Sequence, residues 1–152
     1  MFDAIRDYVH DELHRKDILF FKTQEWDLSK DEYYSSLKSC NVVFSANKHE
    51  NLGIGTFEAM TAGCIPLVPN KLSYAEMYPT EFKYDCPDSI YDLDPAVISS
   101  LSLKIVHMID HYHKLDPLRV KAVDQIQRRF FDGTVMMQLL RDLWVDNKTL
   151  WC

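Results

Sequence analysis

Apolar positions near the amino terminus fall at helical spacing: Phe2, Ile5, Val9 and Leu13 stand three or four apart among charged neighbours. This predicts an amphipathic helix over residues 2 to 15. The pattern then changes to a short apolar run free of charge, Ile18-Leu19-Phe20-Phe21, as in a strand covered on both faces of a parallel sheet. Ser29 followed three residues later by Glu32 opens a second helix, because each side chain can satisfy the other residue's backbone N–H. That helix carries Tyr33, Tyr34 and Leu37 and runs to about Lys38. Val42 to Ser45 and Ile65 to Val68 read as the next two strands. Between them lie a polar loop, the turn Gly53-Ile54-Gly55, and a helix from Thr56 to Ala62 stopped by Gly63.

Beyond Asn70 the stretch KLSYAEMYP reads as a loop leading to a weak strand at Phe82-Lys83-Tyr84. Asp94-Pro95 is an N-cap followed by proline at the first helical position. The helix after it places Val97, Leu101, Ile105, Met108, Ile109 and Tyr112 along one face. Asp116-Pro117 repeats the signal for a helix to about Phe130, and Asp132 starts a last one bearing Val135, Leu139, Leu140, Leu143 and Trp144. Strands alternating with helices predict an α/β fold, a Rossmann-like parallel sheet flanked by helices and joined by right-handed crossovers. One domain over residues 1 to 152 is expected. In such sheets ligands gather at the carboxyl ends of the strands, where Ser45 to Gly55 would lie.

Composition narrows the function. A chain of 152 residues that is 47% hydrophobic can bury a sizeable core. A net charge of −6 argues against broad binding to nucleic acid or anionic membranes. Cys40, Cys64, Cys86 and Cys152 show neither C-x-x-C pairing nor metal spacing, so free thiols in a reducing, cytoplasmic setting are expected. The charged amino terminus does not resemble a signal peptide, and no run reaches membrane-spanning length. His10 with His14, and His107 with His111 and His113, lack further ligands in sequence and read as solvent-facing, so no metal is expected. Arg119, Lys121, Arg128 and Arg129 read as a solvated basic face.

The chemistry centres on Glu50 and Glu58, with the glycine turn between them. Backbone N–H groups at a helix start lack intrahelical partners and sit at the positive end of the dipole, so they favour anions. A phosphorylated ligand follows. Glu58 stands among Phe57, Ala59, Met60 and Ala62. A carboxylate buried there without a partner costs several kcal/mol, so it should face a cleft or hydrogen-bond donors. Vicinal sugar hydroxyls are such donors. The plainer readings are a first-turn carboxylate favouring the dipole, for Glu58, and a solvated loop charge, for Glu50.

In register, Glu50, Gly53, Glu58, Ala59, Met60, Gly63 and the strand Ile65 to Val68 resemble the signature of family 4 glycosyltransferases of the GT-B class. The order of strands and helices agrees from about Ile18 to Trp144. The resemblance is to the carboxyl-terminal, donor-binding half of those enzymes. It implies that Glu50 occupies the catalytic position facing the transferred sugar, and that Glu58 takes the ribose hydroxyls of the nucleotide. The amides around Gly53, Ile54, Gly55 and Thr56 would meet the diphosphate. It further implies retention of anomeric configuration, no essential metal, and no cofactor beyond a nucleotide-sugar donor such as GDP-mannose or a UDP-sugar. The run HENLGIGTFEAMTAGCIPLVPNKLSYAEMYP is similar to the tRNA-queuosine mannosyltransferases, which adds His49 to the substrate contacts and tRNA to the acceptors. It departs from that group at Asn51-Leu52 and at Ala75. The Arg and Lys with which such enzymes grip the diphosphate have no match, since Arg6, Lys16 and Lys22 stand in the wrong context. The resemblance therefore implies a domain incomplete at its amino terminus that needs an acceptor-side domain or partner subunit. The alternative is a non-catalytic nucleotide-sugar-binding subunit.

Overall fold

The computed structural model describes residues 1–23, 27–47, 50–85 and 94–134. Helix α1, Phe2–Asp7, continues as a wider π turn over Tyr8–Glu12. It ends short of residue 15, at a reversal where His14 takes a left-handed φ of 55°. Its inner face is apolar as the spacing required, with Ile5 and Val9 buried. Helix α2, Lys30–Ser39, begins at the expected capping box: Ser29 Oγ accepts from the Glu32 amide while the Glu32 carboxylate accepts from the Ser29 amide.

The sheet is parallel and α/β in character. β1, Val42–Phe44, pairs with β2, Ile65–Pro69, and β2 pairs with β3, Lys83–Tyr84. Val42 sits opposite Ile65 and Val68 opposite Lys83. Every residue of β2 is buried, as a central parallel strand covered on both faces should be. Helix α3, Ile54–Ala62, crosses from β1 to β2. Helix α5, Pro95–Asp110, is capped as expected by Asp94, whose Oδ1 accepts from the Ala96 amide at 2.8 Å. It buries Ile98, Leu101, Ile105 and Met108 against α1 and the sheet. Tyr8 and Ser99 join their hydroxyls at 2.9 Å across that contact.

Several expectations are corrected. Ile18–Phe21 forms no strand of the sheet. The Ile18 carbonyl is bonded by His10 Nε2 at 2.8 Å, Phe20 packs edge-on against Phe2 and His10, and Leu19 is 90% exposed. The run is apolar because it lies on α1, with a cleft of about 480 Å³ between it and the outer edge of β1. The stretch after Asn70 is not a loop throughout. Leu72–Met77 forms helix α4 and turns Tyr74, Met77 and Tyr78 inward. The helix expected to start at Asp116-Pro117 starts earlier: α6 spans Tyr112–Ile126 with Pro117 inside it.

Arg119 is also not a solvated residue. Its guanidinium bonds Asp116 Oδ1 at 2.6 Å and the Met60 carbonyl at 2.7 Å, its side chain only 13% exposed. Together with the Tyr112 hydroxyl, which donates to the Gly63 carbonyl at 2.8 Å, it fastens α6 to the end of α3. His111 stacks on His107, ring centroids 4.1 Å apart. Cys40 and Cys64 are free thiols, and buried Cys64 directs its Sγ at the Leu37 carbonyl, 3.2 Å away. Asp132 caps the next helical turn, its Oδ1 accepting from the Thr134 amide. The rest of that last helix, with Val135 to Trp144, and Cys86 and Cys152 lie outside the described residues.

Candidate functional site

The site forms where β1 ends. The chain leaves the sheet at Ser45, whose amide still bonds the Leu67 carbonyl at 3.0 Å, and returns at Gly53 to start α3. Gly53 holds φ 65° and ψ 38°, the left-handed conformation that glycine adopts freely and other residues at a cost. A second constraint acts there: a Cβ on Gly53 would stand 2.5 Å from Cε1 of Tyr74. Tyr74, reaching back from α4, is buried beneath the turn. Its hydroxyl bonds Thr56 Oγ1 at 3.0 Å and Ser45 Oγ at 3.4 Å. The Tyr84 hydroxyl donates to the Ser45 carbonyl at 2.9 Å. The ends of β1 and β3, the turn and α4 are thus tied together under the helix start.

Glu50 lies half-buried before the turn, folded onto its own loop. Its Oε1 accepts from the amides of Gly53 at 3.0 Å and Leu52 at 3.4 Å, and Oε2 accepts from Asn47 Nδ2 at 3.1 Å. The Gly53 N–H is therefore already used, and the amides of Ile54, Gly55 and Thr56 are those that open α3 without intrahelical acceptors. Gly55 is exposed, with Tyr33 overhead: its hydroxyl would lie 3.8 Å from a Cβ at that position. Glu58, one turn on, is half-buried and receives the Tyr34 hydroxyl on Oε1 at 2.7 Å. Donating its proton to that carboxylate raises the Tyr34 pKa, with partial burial and the Glu58 charge adding to it. The Tyr33 pKa is raised chiefly by burial and then by the charge on Glu58. No ion pair among the described residues involves Glu50 or Glu58. Among the described residues neither carboxylate has a cationic neighbour in an ion pair, and each keeps acceptor capacity, since a carboxylate can accept about four hydrogen bonds.

The structure therefore places Glu50 and Gly53 to Thr56 where β1 ends and α3 starts, with Glu58 one turn along that helix. His49 lies outside the described residues. Arg6 and Lys22 are engaged at α1, both pairing with Asp3 and Arg6 also bonding Asp7. Among the described residues no group of three or more His, Cys, Asp or Glu is placed to hold a metal ion. No helix among them is long and apolar enough to cross a membrane. Two residues of the site carry no signal in the sequence: Tyr34 stands among the side chains of the second helix and reaches Glu58, and Tyr74 falls in the stretch expected as a loop and reaches Thr56.

Over 63 residues the chain is 38% identical to the tRNA-queuosine alpha-mannosyltransferase of Drosophila melanogaster. The matched stretch is 41% of this chain and 17% of that protein. Here the chain is glycosyltransferase-like. No family model and no solved structure matches it. The likeness in sequence and the Rossmann-like sheet agree on a transferase-type α/β unit that spans only a small part of its relative's length.

Proposed function

We propose that this chain supplies the nucleotide-sugar-binding part of a retaining GT-B glycosyltransferase. One observation carries the reading: among the described residues a single helix start presents unpartnered amides with a carboxylate before it and another after it, each held by neutral donors. In this reading the N–H groups of Ile54, Gly55 and Thr56 meet the diphosphate, and Gly53 supplies the turn rather than a donor. Glu58 takes the ribose hydroxyls. Glu50 faces the transferred sugar through the free capacity of Oε2, with Oε1 occupied by the loop amides, and His49, next to it in sequence, is assigned to the same sugar. Transfer breaks the bond from the anomeric carbon to the diphosphate oxygen. A bond to the acceptor oxygen forms on the same face, and the acceptor's proton leaves with the diphosphate. The charge that develops on the leaving group is what oriented amides stabilise. The relative's name supplies a mannosyl group and tRNA queuosine as the sugar and acceptor of this proposal. An acceptor-side domain or partner subunit would bring the cationic side chains that complete the diphosphate grip.

Calorimetric titration with GDP and UDP tests this. One of them is expected to bind, and Glu58→Ala to weaken it about 10- to 100-fold, as the loss of hydrogen bonds to a charged group requires. Indifference to Glu58→Ala, or no binding of either nucleotide, refutes the assignment. Transfer by the chain alone is expected to be weak or absent, and robust turnover of GDP-mannose would refute the need for an acceptor-side domain.

A further inference from the structure

We propose that Tyr34 is a positioning residue for Glu58, and thereby sets the preference of this site for a nucleotide whose ribose carries its 2′-hydroxyl. The inference rests on the function proposed above and deepens it. Glu58 is half-buried on the side of α3 that meets α2, and without a partner its side chain would populate several rotamers, each aiming its carboxylate differently. The Tyr34 hydroxyl removes that freedom by donating to Oε1 at 2.7 Å, a contact between residues 24 apart in sequence. A hydroxyl bonded to a carboxylate is among the stronger and more directional hydrogen bonds.

The donor is itself held. α2 starts at the reciprocal Ser29–Glu32 cap, and its far end is anchored by buried Leu37, which packs with Ala59 and Cys64 of the α3–β2 unit. Tyr34 is further braced edge-on by Tyr33, ring centroids 5.4 Å apart, and the Lys30 ammonium stands 6.0 Å from its ring. With Oε1 engaged, Oε2 is the oxygen left to accept from a vicinal diol. The cost of fixing the side chain is met in the free protein, so less is lost when ligand binds.

The experiment measures dissociation constants of GDP and UDP and of their 2′-deoxy counterparts for the unmodified chain, Tyr34→Phe and Glu58→Gln. Phenylalanine keeps the ring and deletes the half-buried hydroxyl alone, and thermal melts report its folding separately. For the nucleotide that binds, Tyr34→Phe is expected to weaken the ribose form about tenfold and the 2′-deoxy form little, the worth of one hydrogen bond at a charged group. Tyr34→Phe/Glu58→Gln should bind no worse than Glu58→Gln, because the phenol acts only through that carboxylate. Equal weakening of ribose and deoxyribose forms, or none of either, overturns the positioning role while leaving the nucleotide site intact. An unmodified chain that binds no nucleotide, or whose binding ignores Glu58→Gln, overturns the function and this inference together.

Discussion

Replacing Gly53 with alanine tests the geometry on which the whole site stands. Two separable effects follow. The backbone at φ 65° and ψ 38° lies in the left-handed region, where a Cβ costs about 1–2 kcal/mol. The new methyl would also stand 2.5 Å from Tyr74 Cε1 and 3.2 Å from both Cζ and the hydroxyl oxygen. The ring cannot swing aside freely: it is buried, it packs edge-on with Tyr78 at 5.4 Å, and its hydroxyl is bonded to Thr56 and Ser45. Forcing it to shift belongs with overpacking, about 1–3 kcal/mol. Against these, alanine narrows the unfolded ensemble and returns about 0.4–1 kcal/mol. The net expectation is a loss of about 1.5–4 kcal/mol. In urea that moves the unfolding midpoint down by about 1 M or more at unchanged slope. Gly53→Ala in a Tyr74→Leu background should recover the overpacking share and keep only the left-handed share. A loss below about 0.5 kcal/mol, or strict additivity in that double-mutant cycle, would refute the reasoning.

Tyr112→Phe removes the 2.8 Å bond to the Gly63 carbonyl that helps hold α6 on α3, and should cost about 0.5–1.5 kcal/mol in chemical denaturation. Glu32 is held below the usual carboxylate range by the Ser29 hydroxyl and then the Ser29 amide. Its folded pKa is depressed, so the stability it contributes is present above the unfolded value, near 4.3, and is lost as pH falls through the folded one. Glu32→Gln should therefore flatten the acid side of the stability profile while leaving melts at neutral pH less changed. Burial pushes the Cys64 thiol up to about 12, so alkylation by iodoacetamide at pH 8 should spare Cys64 until the protein unfolds, as read by peptide mass spectrometry. Because that shift is upward, the matching stability is intact below about pH 8.5 and fades as pH rises beyond it.

What could be read from the sequence was what local chemistry determines. The Ser29–Glu32 pair caps its own helix, Asp94-Pro95 starts its own, and the apolar positions of β2 are buried because a central strand has no polar face. Glu50 and Gly53, three residues apart, likewise meet through local chain geometry, the Glu50 carboxylate accepting from the Gly53 amide. The misreadings share a different cause. Ile18 is buried and Phe20 packs on α1 while Leu19 faces out, and a four-residue run carries no periodicity to tell that from a sheet. α4 is only six residues long, has no side-chain cap, and opens at Leu72 with a left-handed φ of 47°, so its start signal is absent. Pro117 read as a first-turn proline although it lies further inside α6. Tyr34 and Tyr74 reach Glu58 and Thr56 from 24 and 18 residues away. Those meetings are made by packing, which no short motif encodes.

The neighbour of Tyr74 carries a last consequence. Tyr78 is 3% exposed, and its phenolic oxygen has no hydrogen-bond partner among the described residues. Enclosing such an oxygen unmatched costs about 1–3 kcal/mol, so Tyr78→Phe should raise the melting temperature. That makes it a sturdier background in which weakened substitutions around Gly53 stay folded long enough to be assayed. A phenylalanine that melts no higher would mean that the oxygen meets water or another donor after all.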